Sequence, residues 1–213
     1  MRVLSVNVAM PRDVPWHGLA VSTAIFKQPV AGRVALRTLK LDGDAQADLT
    51  VHGGPDKAVY AYASEHYAGW QAKLGRNLPP AAFGENLTTE GCFENRIHIG
   101  DEFIVGTARL VVTQPRMPCY KLGIRFGDPA VVRGFLKARL PGIYFAVVTE
   151  GVVGPGDSIE PVHTDPRLVT VSEMLALILN RHAPADDLRR IVAIPGLATV
   201  WREEFLSRLD DIS

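Results

Sequence analysis

A mostly β protein with some α-helix, built from mainly antiparallel strands in a barrel or sandwich and ending in three short helices, is what this 213-residue sequence predicts. Two patterns point there. Up to about residue 161, Gly, Pro, Asp and Asn interrupt the chain at short intervals, and the segments between them are brief and rich in Val, Ile and Leu, as short strands require. After Pro161 the apolar residues instead recur at helical spacing between Pro and Gly breaks. With 47% hydrophobic residues, the chain has enough apolar surface to bury a sizeable core.

In chain order, strands are expected at residues 2–8, 18–25, 33–36, 58–63, 86–88, 102–105, 108–114, 143–149 and 158–161. Gly106-Thr107 lies between two of these segments and reads as the tight turn of a hairpin. Two helices interrupt the strands. Ser64 can cap one over residues 65–74, with Tyr67, Trp70 and Leu74 on one face; Asp128 or Pro129 can start another that ends before Pro141, with Val131, Val132, Phe135 and Leu136 at helical spacing. The terminal helices fall at 171–180, capped by Thr170 or Ser172, then 185–192 and 198–209. Asp165-Pro166 resists continuation of either element, which places the domain boundary near residues 163–167 and divides the chain into 1–163 and 164–213. Three such helices bury little by themselves, so they must pack on the strands or on a second subunit.

Lysine plus arginine and aspartate plus glutamate both number 23, and no run of like charge stands out, which argues against general nucleic-acid binding. No uncharged apolar run is long enough to cross a membrane, and the first residues lack a signal-peptide core, so a soluble cytoplasmic protein is expected. The two cysteines, Cys92 and Cys119, have dissimilar surroundings and read as free thiols.

Three stretches can carry chemistry. In Gln114-Pro115-Arg116-Met117-Pro118-Cys119-Tyr120-Lys121-Leu122, two prolines stiffen the loop that presents Cys119. The cations Arg116 and Lys121 there favour a thiolate, the form that ligates metals or attacks as a nucleophile; a small buried hydrophobe is the plain alternative. In Val51-His52-Gly53-Gly54-Pro55-Asp56-Lys57, backbone amides and Lys57 can approach an anion, though the same stretch also suits an ordinary strand connection. In Phe83-Gly84-Glu85-Asn86-Leu87, Glu85 and Asn86 offer acceptors and donors to a heterocycle, or else serve only the turn. His52, Cys119 and His163 are too dispersed to name a zinc site.

Taken in order, Gly43-Asp44-x-Gln46-Ala47-Asp48, Val51-His52-Gly53-Gly54-Pro55-Asp56-Lys57, Phe83-Gly84-Glu85-Asn86-Leu87, Ile99-Gly100-Asp101 and Gln114-Pro115-Arg116-x-Pro118-Cys119-x-Lys121-Leu122 resemble MOSC-domain proteins, with the nearest similarity to the YiiM-like branch. The resemblance covers nearly the whole chain. It implies a MOSC-type β-barrel-like domain followed by a small three-helix C-terminal domain, and a molybdenum–molybdopterin cofactor (Moco) with Cys119 as the metal ligand. It further implies reduction of N-hydroxylated compounds. On chemical grounds Glu85 is the candidate proton donor and second catalytic residue, Lys57, Arg116 and Lys121 are candidates to bind the anionic cofactor, Asn86 is a candidate to hydrogen-bond the pterin or the substrate, and His52 is a further cofactor-binding candidate. Because the chain has no flavin, nicotinamide or iron–sulfur motif, electrons are expected from a separate flavin-containing reductase. A homodimer is allowed, and a carrier with a persulfide on Cys119 is the alternative function. One departure is Ala146, where many members of the family carry arginine.

Overall fold

The computed structural model describes residues 1–48 and 53–212. Its strands are β1 (Arg2–Val8), β2 (Arg12–Trp16), β3 (Leu19–Thr23), β4 (Gln28–Pro29), β5 (Val34–Leu36) and β6 (Val59–Ala63), followed by helix α1 (Glu65–Leu74) and strands β7 (Leu87–Glu90), β8 (Glu102–Val105) and β9 (Ala108–Pro115). Helices α2 (Tyr120–Phe126) and α3 (Ala130–Ala138) precede β10 (Ile143–Thr149), β11 (Gly151–Val153) and β12 (Ile159–His163), and the chain ends in α4 (Val171–Leu179), α5 (Ala185–Val192) and α6 (Thr199–Asp210).

Eight strands form one sheet in the order β12-β8-β9-β10-β6-β7-β1-β4, with β6–β7 its one parallel pair. The remaining strands pair as β5–β11 and β2–β3. The sheet curls without closing: no continuous ladder joins its two ends among the described residues, yet Arg2 bridges Ser158, Ile159 N donates to Met1 O and Val3 N to Asp157 O. The barrel expected from the sequence is therefore an open, curled sheet. The hairpin at Gly106 forms as expected, with Val105 opposite Ala108.

Helix α1 buries Tyr67 and Trp70 on its predicted face. Ser64 stands at its start but makes no cap bond to the helix amides, its hydroxyl donating instead to the Glu65 carboxylate at 3.4 Å. Thr170 does cap α4, reciprocally with Glu173. An aromatic cluster of Tyr62, Phe83, Trp70 and Phe135 locks α1 and α3 to the sheet. The three terminal helices pack in cis, since Met174, Leu188, Ile194 and Phe205 share one core with Leu110, Val112 and Ile99. Gly196 shows how closely: a Cβ there would lie 2.9 Å from Gly100 Cα and from Val111 Cγ2.

Candidate functional site

Strand β9 delivers the chain to Pro115, and the link from Arg116 to Pro118 turns it into α2, leaving Cys119 in extended backbone (φ −116°, ψ 173°) at the N-cap. Two prolines fix φ on either side of the turn, so the thiol is held on a stiff support, half-buried and unpaired with the other cysteine. It opens on a cleft lined by Lys27, Arg116, Met117, Lys121 and Tyr144, with about 100 Å³ of space beneath an open mouth. Gly84 forms part of the floor, where a Cβ would come within 2.8 Å of Ile25 Cγ1 and the backbone is left-handed (φ +77°).

Three cations converge here and are held differently. Lys27 is buried and donates to Asp44; burial lowers its pKa, with Asp44 opposing. Arg116 is 7% exposed, donates from Nη1 to Phe83 O at 2.9 Å and lies over the Tyr60 ring at 4.9 Å. Burial pulls its pKa down, but Tyr60, Tyr144 and Cys119 outweigh that and hold it above the ordinary arginine value. Lys121 is 8% exposed and, among the described residues, makes no hydrogen bond or ion pair. The stem is what is buried; the ammonium reaches the cleft, where its charge fits an anionic ligand.

The other residues marked by the sequence lie elsewhere. Glu85 has no exposed surface, and its carboxylate accepts from Ala81 N and Phe83 N (both 3.0 Å), from Thr88 Oγ1 (3.0 Å) and from the Tyr67 hydroxyl. Burial raises its pKa and these donors oppose the rise. Asn86 is equally engaged: Oδ1 accepts from Tyr60 N at 3.1 Å, while Nδ2 donates to Asp44 Oδ2 at 2.9 Å and Asn7 O at 3.3 Å. Both residues shape the wall behind the cleft and do not line it. Lys57 lines a neighbouring hollow together with Met117 and Tyr144. His52 lies outside the described residues. Ala146 pairs with Val111 inside the sheet and is not part of the cleft lining.

Sequence reasoning missed Lys27, Met117, Tyr144 and the whole of α2. Gly127, left-handed at φ +68°, was a stop signal for that helix, but Gly123 within it masked the pattern. Gly123 is small because Pro129 Cα would be 3.2 Å from a Cβ there. Lys27 offered no local signal, since only the fold carries it to Asp44.

A MOSC-domain model matches residues 48–160, more than half of the chain. The chain belongs to the MOSC family. A second model, the YiiM-like 3-alpha helix domain, matches residues 169–211 of this MOSC protein, so its helices are also of the YiiM type. It is 39% identical to the uncharacterized protein YflK of Bacillus subtilis over 98% of this chain and 94% of that one. The crystal structure of YiiM from Geobacillus stearothermophilus superposes with a TM-score of 0.83 at 32% identity, covering 98% of each chain. A Gibberella moniliformis protein named Reductase is 33% identical over 67% of this chain and 26% of its own length.

Proposed function

We propose that this MOSC protein holds a molybdenum–molybdopterin cofactor through Cys119 Sγ and reduces small N-hydroxylated compounds (hydroxylaminopurines, amidoximes and hydroxylamines) to the amine or amidine. A separate flavin-containing reductase would supply the electrons. The observation that carries this reading is a half-buried thiol sharing a cleft with Lys121, a cation without a partner among the described residues. The name of the fungal relative agrees with a reductive reaction.

The donor set suits such a group. Among the described residues no three His, Cys, Asp or Glu side chains gather as a metal cage, so a metal bound here would bring ligands of its own and need one soft protein ligand. Cys119, Arg116 and Lys121, which line one cleft, are the residues that would hold such a group. When bound, the group supplies the two-electron redox couple. Arg116 and Lys121 would offer their cations to an anionic part of the cofactor. The net reaction, R–NHOH + 2 e⁻ + 2 H⁺ → R–NH₂ + H₂O, needs protons at the cleft. Glu85 is sealed from it, so Lys27 Nζ, a cleft-lining ammonium whose pKa burial depresses, is the better-placed donor.

Metal analysis of the protein made in a host that assembles the cofactor should find close to one molybdenum per chain, together with turnover of 6-hydroxylaminopurine by a chemical electron donor. Cys119→Ala should lose both. Unchanged molybdenum in that variant refutes the proposed ligand, and persulfide labelling of Cys119 without turnover replaces the reductase with a sulfur carrier.

A further inference from the structure

Among the described residues, Gln114 Nε2 is the one buried side-chain nitrogen or oxygen without a hydrogen-bond partner, on a residue only 2% exposed. Buried donors are nearly always satisfied, and an exception calls for an absent acceptor. Gln114 stands on β9 opposite Tyr144 of β10 and lines a hollow of about 180 Å³ with Lys57, Pro115, Met117, Val200 and Trp201. Met117 and Tyr144 also line the Cys119 cleft, so the two spaces share a wall.

The lining is selective in character. Lys57 brings an ammonium, Gln114 an amide that can donate and accept, Trp201 an indole N–H and Tyr144 a hydroxyl; no carboxylate takes part, and the remaining surface is apolar or aromatic. Burial lowers the pKa of Lys57, with Asp56 opposing. Val200 and Trp201 come from α6, whose start is tied down by Thr199 N donating to Asp56 Oδ2 at 2.8 Å and Ala198 N to Thr113 O at 3.2 Å. Trp201 also stacks on Phe205, a residue of the shared core, at 6.0 Å. The indole is thus a placed wall of the hollow.

We propose that this hollow is a ring-binding compartment for a planar heterocycle with acceptor atoms on its edge, in which Gln114 Nε2 donates to a ring acceptor and Trp201 covers a ring face. The inference rests on the reductase reading, because the group to be reduced would project past Met117 and Tyr144 toward Cys119. It gives the three-helix module a role in substrate choice, with Gln114 and Trp201 setting specificity.

Calorimetric titration of the full, cofactor-loaded chain with adenine and with indole tests it, alongside KM for 6-hydroxylaminopurine. Indole matches the size of adenine but lacks ring acceptors. Adenine should bind more tightly. Gln114→Leu should weaken adenine roughly tenfold, the order of one hydrogen bond, and leave indole unchanged. Trp201→Leu should weaken both ligands and raise KM. Equal affinities and equal KM in wild type and both variants would overturn the compartment even if turnover persists, leaving Gln114 to an ordered water. Adenine binding with the expected losses but no turnover would support the compartment and defeat the reductase reading.

Discussion

Two polar regions lie side by side near the floor of the cleft, yet they are opposite in kind. In the turn of residues 83–88, Glu85 and Asn86 have spent their hydrogen-bonding capacity on backbone and side-chain partners. Across Phe83, whose carbonyl accepts from Arg116, the cleft keeps a thiol and the Lys121 ammonium with no hydrogen-bond or ion-pair partner among the described residues. Polarity in a motif therefore says little about function until its partners are counted: a satisfied network holds a shape, and an unsatisfied one awaits a ligand.

The sharpest way to break this contrast is Glu85→Ala. It strands Ala81 N, Phe83 N and the Tyr67 and Thr88 hydroxyls in a dry interior, and a loss of about 4 kcal/mol is expected in urea unfolding. A loss below about 1 kcal/mol would mean that water enters the turn and that the region is not sealed. Next in size is Asn86→Ala, which removes the acceptor for Tyr60 N and a donor to Asp44; about 2–3 kcal/mol should disappear by the same measurement.

That the two regions were indistinguishable in the sequence has a physical cause. Strand and helix periods are local, so β1, α1, β9 and the three terminal helices were legible from spacing alone. Cys119, Arg116 and Lys121 were legible as a group because four residues or fewer separate neighbours along a stiff loop. The acceptors of Arg116, Lys27 and Asn86 lie 33, 17 and 42 residues away along the chain, and no local pattern encodes such pairings. Glu85 misled for the same reason: its amide partners are near in sequence, but its burial and its bond from Tyr67 are set by the packing of α1.

The cysteines repeat the contrast on a smaller scale. Cys92 is buried, and burial pushes its thiol up to about 11 from an ordinary 9, so the folded protein keeps its proton at pH values where the unfolded chain has lost it. Stability from this group is complete below pH 9 and is lost as pH rises through 11, about 3 kcal/mol in all. Cys92→Ala should flatten the alkaline limb of a stability–pH curve, and an unchanged slope would assign that limb to other groups. Iodoacetamide near pH 8 should label Cys119 and spare Cys92 until the chain unfolds.

The smallest expected change in stability belongs to Lys121→Met, and it discriminates most finely between the regions. Methionine keeps much of the length of the stem at the start of α2 while deleting a charge that has no partner among the described residues and that shares the cleft with Arg116 and Lys27. Removing it leaves no donor or acceptor stranded and relieves repulsion between like charges, so urea unfolding should move by no more than about 1 kcal/mol, in the stabilising direction. Bound molybdenum should nevertheless fall, because the lost ammonium lines the cleft and has no partner among the described residues to compete with an anionic cofactor. Destabilisation comparable to that of Asn86→Ala would place Lys121 with the sealed network, and the cleft would then have to attract its ligand through Arg116 and Cys119 alone.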